Sequence, residues 1–300
     1  MLRFLGYALL DRNVEQKFPL IVGPKRTGKS KALEISVGVL GPDYAIISQP
    51  KLITRSKSGT HHASETWSIR GKRLVAISET DAGMDLDEAM VKNLTGASTM
   101  SMRGLYQARE AQVPVTWTII IGTNEEPNVE KWDDAIGRRV IKIPSGPSLE
   151  MWEVDLDLED KILESEAEGV LVSLVAGCVR WYQLRSANGT GLDVPVAVAK
   201  ATRDFEEAND HVAEFIHACV DFGEGYSVPL TQVNRAYKAH RAGKETLGGR
   251  ALYGRIAAHA AANGHQVTKD YRTFYAFTWR SSHASSPTSS ASWTRGKDSK

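Results

Sequence analysis

Cysteine is nearly absent from this sequence, and so are long apolar runs. The two cysteines among 300 residues, Cys178 and Cys219, each lie in an apolar stretch with a helical pattern. We interpret them as buried free thiols, which argues against a disulfide framework and against a zinc site. The apolar start MLRFLGYALL is too short and too interrupted for a membrane span, and it lacks the small-residue cleavage site of a signal peptide. These absences predict a cytoplasmic protein.

An excess of charge of one sign is also lacking. Lysine and arginine total 37 and the acidic residues 36, so the formal net charge is +1 and the pI is about 7.8. The composition therefore excludes a globally basic nucleic-acid binder, and any such surface must be local. Charge is indeed unevenly spread, because residues 150–168 are rich in acids and the last third is rich in lysine and arginine.

The residues that carry most information form a glycine-bounded loop near the start of the chain. The loop matches G-x-x-x-x-G-K-[ST] in full, with the buried strand FPLIV before it and the helix KSKALEISVGVL after it. Backbone N–H groups of such a loop point at phosphate oxygens, Lys29 reaches the β- and γ-phosphates, and the Ser30 hydroxyl ligates Mg²⁺. The predicted nucleotide-binding residues are Gly23, Pro24, Lys25, Arg26, Thr27, Gly28, Lys29 and Ser30.

Polar residues follow two further strands at positions suited to hydrolysis. The apolar run RLVAIS leads to Glu79, which could polarise an attacking water and share the metal site with Ser30. Asp81 is the competing carboxylate, and the alternative is that Glu79 merely caps a turn. The run TIIIGT leads to Asn124, and asparagine also commonly begins turns.

A pair of arginines, Arg138 and Arg139, precedes the apolar run VIKI. One of them could be an arginine finger that reaches the nucleotide of a neighbouring subunit. The alternative is that both are solvated surface residues.

The order of the predicted elements indicates a fold class. Strands alternating with helices over residues 1–147 predict a three-layer α/β P-loop NTPase domain with a parallel sheet. Residues 148–195 are expected to form a helical extension, and residues 196–280 a winged-helix-like module. Arg250 and Arg255 of that module either face DNA or lie on a solvated basic face. Residues 281–300 are Ser-rich without apolar periodicity, which predicts a disordered tail.

Five segments in this order resemble the ATPase core of superfamily 3 helicases, a branch of the AAA+ proteins. They are GPKRTGKS, GKRLVAISETD, VKNLTGASTMSMRGLYQ, TIIIGTNEEP and DDAIGRRVIKIP. The similarity is greatest to the phage and plasmid primase-helicases, which include the poxvirus-type enzymes, and it extends over roughly residues 5–280.

The resemblance implies a homo-hexameric ring that uses ATP and Mg²⁺ and moves 3′ to 5′ on single-stranded or forked DNA during phage or plasmid replication. It also implies a bacterial host cytoplasm as the location. Glu79 becomes the catalytic acid, Asn124 the sensor 1 residue that orients the lytic water, and Arg138 or Arg139 the finger. A β-hairpin between residues 99 and 122 would grip DNA.

The available cations at that hairpin are Arg103 and Arg109, with Lys92 nearby. Contacts between such cations and a strand's phosphates are independent of sequence, which suits a translocating enzyme. The alternative is that Arg103 and Arg109 serve internal pairs, for example with Glu110.

Two features depart from the family pattern. Ser78 and Glu79 stand where many P-loop motors carry two adjacent acids, so one carboxylate must serve both the metal and the water. Fewer than twenty-five residues precede the loop, where relatives place a collar and often a primase domain. We therefore expect a primase or collar domain on a separate or truncated polypeptide. Two other functions stay open, a helicase loader or switch that does not translocate and a DNA-binding accessory protein with degraded catalysis.

Overall fold

The structure is a computed structural model, and it describes residues 1–55, 63–78, 83–104, 109–130, 132–243, 246–270 and 273–280. The chain forms two compact units. The first comprises Met1–Val129 and Asp133–Glu206, and the second comprises Glu130–Trp132 and the chain from Glu207 onward. The predicted disordered tail, residues 281–300, lies outside the described residues. No helix in the described part of the chain is both long and apolar enough to cross a membrane.

The first unit alternates strands and helices through its amino-terminal two thirds and is helical thereafter. Its elements are α1 (Leu2–Tyr7), β1 (Phe18–Val22), α2 (Lys29–Leu40), β2 (Ala45–Ser48), α3 (Ala63–Ser68), β3 (Leu74–Ile77), α4 (Glu88–Gly96), β4 (Thr99–Met102), β5 (Ala111–Pro114), β6 (Thr118–Thr123), α5 (Asp134–Gly137), β7 (Val140–Pro144), α6 (Leu158–Ser165), α7 (Ala167–Asn188) and α8 (Val196–Asn209).

The predicted parallel sheet is confirmed and has five strands in the order β2-β3-β6-β1-β7. The strands β3 and β6 are buried along their whole length, which explains their continuous apolar sequences. The chain runs in the same direction in every strand, so all five carboxyl ends share one edge of the sheet. The phosphate loop leaves β1 at that edge, beside the end of β6.

Helix α7 packs against α1 through two glycines. A side-chain carbon on Gly6 would lie 2.3 Å from the backbone of Leu174 and Cys178, and one on Gly177 would lie 2.4 Å from the carbonyl of Leu2. The two helix backbones therefore meet where any larger residue would overlap. Leu174 continues into the core cluster that also contains residues of β1 and β6.

The predicted helical extension is thus part of the first unit. We expected a boundary after residue 147 and another after residue 195, whereas the chain divides near residue 206. The reason is that the extension buries its apolar stripe, Leu174, Gly177 and Trp181, against α1 rather than in a core of its own. The extension is not one continuous helix, because α6 ends at Ser165 and α7 begins at Ala167.

The second unit has the element order expected of a winged helix. Its elements are α9 (His211–Cys219), β8 (Val220–Pro229), α10 (Leu230–His240), α11 (Gly249–Ala262), β9 (Thr268–Lys269) and β10 (Thr273–Trp279). The strands form an antiparallel sheet in the order β8-β10-β9. A cluster of aromatic and aliphatic residues centred on Phe215, Phe274 and Phe277 fills the space between this sheet and the helices.

Candidate nucleotide-binding site

The phosphate loop has a backbone that demands small residues at two places. Gly28 adopts φ of +77° immediately before α2, a left-handed conformation that carries little cost only for glycine. A side-chain carbon on Gly23 would lie 2.0 Å from the Ser145 hydroxyl oxygen, so the loop can approach the end of β7 only without one. Arg26 also has a positive φ, of 60°. The loop is therefore tightly curled between β1 and α2.

Lys29 lies inside the curl of this loop and is 8 % exposed. Its ammonium group donates hydrogen bonds to the carbonyl oxygens of Gly23 (2.7 Å) and Pro24 (2.6 Å), and also to the Thr27 hydroxyl (3.3 Å). It also donates to the Asn124 side-chain oxygen at 3.3 Å, which joins the start of α2 to the residue that follows β6. Burial lowers the pKa of Lys29 below its ordinary value. The loop after β1 and the end of β6 thus bring Lys29 and Asn124 together.

A cavity of about 490 Å³ opens over this loop. The residues that line it are Lys25, Arg26, Thr27, Gly28, Lys29, Ser30, Lys31, Gly122, Thr123 and Asn124. Four of these carry positive charge and none carries negative charge, and the amino terminus of α2 adds its positive dipole end. The cavity is therefore suited to a polyphosphate. The Ser30 hydroxyl is an oxygen ligand of the kind that Mg²⁺ accepts, so the lining also fits this metal.

The outer rim of the cavity is held by the chain that leaves β7. The Ser145 hydroxyl lies 3.1 Å from that of Thr27, the Ser148 hydroxyl donates to the Lys25 carbonyl at 2.8 Å, and the Leu149 N–H donates to the Arg26 carbonyl at 2.9 Å. Further along, Glu159 of α6 forms an ion pair of 2.7 Å with Lys31. No sequence motif indicates these contacts, which sequence reasoning missed.

The predicted catalytic carboxylate, Glu79, and its competitor Asp81 lie outside the described residues. The strand that leads to them, β3, pairs in parallel with β6, and Ile77 stands opposite Ile121. The chain therefore leaves β3 at the same edge of the sheet at which β6 delivers Asn124.

The two candidate finger arginines have different surroundings. Arg138 is exposed, and its Nε donates to the Asp134 carbonyl at 3.0 Å. Arg139 is half-buried, donates to the Ala135 carbonyl at 2.5 Å and packs so closely on α4 that a side-chain carbon on Gly96 would lie 2.6 Å from its Nη2. Within one chain, Arg138 is the more accessible of the two.

The predicted hairpin is present as the antiparallel pair of β4 and β5, in which Met102 stands opposite Ala111. Arg103 follows β4 and Arg109 precedes β5, and both are exposed. Among the residues that the structure describes, neither has an acidic partner, and Glu110 instead accepts a hydrogen bond from Ser101.

Lys92, the third predicted DNA contact, lies on α4 rather than on the hairpin and forms an ion pair with Asp133. Burial alone would raise the pKa of Asp133, but the hydrogen bonds from Lys92 and from the Ile136 N–H outweigh it and leave the pKa below its ordinary value. Lys92 therefore holds the first turn of α5, which Asp133 caps.

In the second unit, Arg255 does not face outward as expected. Its guanidinium donates to the Asp210 carboxylate at 2.5 Å and to the Trp132 carbonyl, so it holds elements of the unit together. Arg250 is exposed at the start of α11. Part of the positive charge of this segment is thus used in contacts within the unit rather than exposed on its surface.

Comparison with known proteins finds a sequence relative for about half of this chain. No protein-family model matches the chain. Over 145 residues the chain is 29 % identical to a protein of Acanthamoeba polyphaga mimivirus named "Putative helicase L207/L206", a match that spans 48 % of this chain and 15 % of the relative. The chain thus corresponds to less than a sixth of that relative's length.

Solved structures that resemble the chain include two of the C-terminal region of NrS-1 in its apo form. The TM-scores are 0.46 and 0.45, with 16 % and 12 % identical residues, and each alignment covers 92 % of this chain and 70 % of the other.

Proposed function

We propose that this chain is the motor part of an ATP-dependent DNA helicase, of the ring-forming superfamily 3 type, that acts in phage or plasmid replication. The observation that carries the proposal is the cationic cavity at the carboxyl edge of the parallel sheet, with Lys29 and Asn124 in hydrogen-bonding contact. The hairpin with two exposed arginines and the name of the mimivirus relative favour a helicase over other P-loop NTPases.

The proposed reaction assigns each group a task. Lys29 and the loop N–H groups hold the β- and γ-phosphates, and Asn124 orients a water molecule toward the γ-phosphorus. Glu79 takes a proton from that water as the new oxygen–phosphorus bond forms and the bond to the β–γ bridging oxygen breaks. Ser30, with Glu79 directly or through water, would hold Mg²⁺, which neutralises phosphate charge when bound.

The proposed arginine finger would act between neighbouring copies of the chain. Arg138 or Arg139 would stabilise the transferring phosphoryl group of a neighbouring copy, which makes hydrolysis depend on a homo-hexamer. A primase or collar domain would support that ring. Arg103 and Arg109 would contact the phosphates of a single strand, because exposed cations on a hairpin bind a backbone without regard to sequence.

The test is hydrolysis of ATP with and without single-stranded DNA, together with unwinding of a 3′-tailed fork. Lys29→Ala should abolish both activities. Arg109→Ala should keep basal hydrolysis but lose the stimulation by DNA, and it should reduce the slope of log affinity against log salt by about 0.7. Arg180→Ala, which removes an exposed arginine from α7, is the matched control and should change neither.

A helicase loader or switch protein is the second candidate. It would bind nucleotide without translocating and has no need of exposed cations between β4 and β5. Equal hydrolysis rates with and without DNA in the unmodified protein, measured where light scattering shows an assembled ring, would favour the loader.

A further inference from the structure

An exposed apolar segment connects two points on the rim of the phosphate cavity. At one end, the Leu149 N–H is hydrogen-bonded to the Arg26 carbonyl, and at the other Glu159 is ion-paired with Lys31. Arg26 and Lys31 both line the cavity. Between these anchors, Met151 is 71 % exposed, Trp152 83 % and Leu156 82 %. Large apolar side chains exposed to this degree in one short segment are candidates for a binding surface.

The position of this segment matches one end of a nucleotide. Lys29 and Asn124 are hydrogen-bonded to each other, and the terminal phosphate belongs beside them if the proposed function holds. Arg26 and Lys31 line the same cavity, and we place the ribose and base on their side of it. Trp152 is three residues from Leu149, so their Cα atoms are at most about 11 Å apart.

The charge around the segment selects among ligands. Four acidic residues accompany the apolar ones: Glu150, Glu153, Asp155 and Asp157. They disfavour the phosphate backbone of a nucleic acid at this surface. A nucleobase has no charge, stacks on an indole face and carries amino groups that donate hydrogen bonds to carboxylates.

We propose that Met151, Trp152 and Leu156 form the platform for the base of the bound nucleotide, with the Trp152 indole as the stacking surface. The proposal rests on nucleotide binding at the phosphate loop, and it adds the residue that senses the base. The 3₁₀ turn over Met151–Glu153 fixes the backbone at Trp152, because the Glu150 N–H donates to the Glu153 carboxylate across it at 2.8 Å.

The test compares a ligand that has a base with one that lacks it. Binding of a non-hydrolysable ATP analogue and of tripolyphosphate, each with Mg²⁺, is measured for the unmodified protein, Trp152→Ala, Trp152→Phe and Tyr44→Ala. Tyr44 is a matched exposed aromatic that precedes β2, at the opposite edge of the sheet. Trp152→Ala should weaken binding of the ATP analogue about 5- to 150-fold, the range expected for loss of one base–aromatic stack. Tripolyphosphate binding should not change.

Two further readouts accompany the affinities. Trp152→Phe should recover most of the lost affinity, because phenylalanine keeps a stacking face. Indole emission should fall when the ATP analogue binds but not when tripolyphosphate binds, and Trp152→Phe should remove that change. Tyr44→Ala should behave as the unmodified protein.

Several results would overturn the platform. They are an unchanged affinity of Trp152→Ala for the ATP analogue, an equal loss for the ATP analogue and tripolyphosphate, and a change in assembly mass alone, which would make the segment an interface between copies. If the unmodified protein binds neither ligand, the proposed function itself fails. That result is distinguishable from failure of the platform.

Discussion

Replacing Lys29 by alanine should act on the protein both with and without nucleotide. In the structure the ammonium group is buried and donates to the carbonyls of Gly23 and Pro24, so it closes the loop on itself. A hydrogen bond to a charged group contributes about 1.5–3 kcal/mol, and removal of the buried charge returns part of this. We expect a net loss of about 1–2 kcal/mol without nucleotide, which lowers the melting temperature by roughly 2–8 °C for a unit of this size.

Nucleotide should then widen the difference between the two proteins. At a concentration of one hundred times Kd, a ligand that binds only the folded state adds about 2.7 kcal/mol of stability. The unmodified protein should show this gain with Mg²⁺ and a non-hydrolysable ATP analogue, and Lys29→Ala should show none. The assay is thermal unfolding with and without the analogue.

Lys25→Ala is the control, because Lys25 is an exposed cation that lines the same cavity. Its melting temperature without nucleotide should not change, and most of the gain from nucleotide should persist. A full nucleotide-induced gain in Lys29→Ala would refute the reasoning, since the analogue would then be bound without the group at the centre of the loop.

Three further predictions follow from contacts elsewhere. Arg138→Ala should lower the rate of hydrolysis at least about 10³-fold without changing the melting temperature. Arg139→Ala should mainly lower the melting temperature. The reverse pattern would make Arg139 the finger. Gly177→Val should destabilise the first unit by about 1–3 kcal/mol in denaturant unfolding, because its side chain would overlap α1. Gly169→Ala, in the same helix with open space around it, should stabilise by up to about 1 kcal/mol, and equal effects of the two changes would contradict the close packing. Burial and the neighbouring His217 lower the pKa of His259, so the unfolded chain binds more protons than the folded chain near pH 6.5. The free energy of unfolding should therefore fall as the pH drops from 6.5 toward that lowered pKa. His259→Asn should flatten this fall, and an unchanged pH profile of stability would exclude the effect.

The sheet could be predicted from the sequence because its strands leave local signatures. Strands buried on both faces are continuous apolar runs, as in RLVAIS and TIIIGT, and the phosphate loop fixes which strand and helix flank it. The parallel arrangement places the ends of β1, β3 and β6 at one edge, and the observed neighbourhood of β1 and β6 then brings Lys29 to Asn124. The roles assigned to Glu79, Asn124 and the arginines stay predictions.

Features that depend on contacts between distant residues could not be predicted. The strand β8 has no clear local signature, because its two glycines and two acids hide the alternation of Val220, Phe222 and Val228. Lys92 and Arg255 were interpreted as cations available to DNA, although each has a carboxylate partner far along the chain, Asp133 and Asp210 respectively. A single sequence shows that a residue is charged but not whether its charge is already paired.

The expected boundary after residue 147 is displaced for the same reason, namely contacts between residues that are distant in sequence. The displacement matters because these contacts reach the phosphate loop. Proline and a change from strands to helices mark residue 147 as a local transition, yet the chain beyond it returns to the phosphate loop at Leu149 and Glu159 and supplies Leu174 to the core beneath the sheet. A nucleotide at the loop would therefore contact Arg26 and Lys31, which are bonded to Leu149 and Glu159, as directly as it would contact Lys29, which is bonded to Asn124. A ligand at one site can influence a second site only if it changes the arrangement of an element that the second site also contacts. The ion pair of Lys31 with Glu159 meets that requirement, because one cation lines the cavity and holds α6 at the same time.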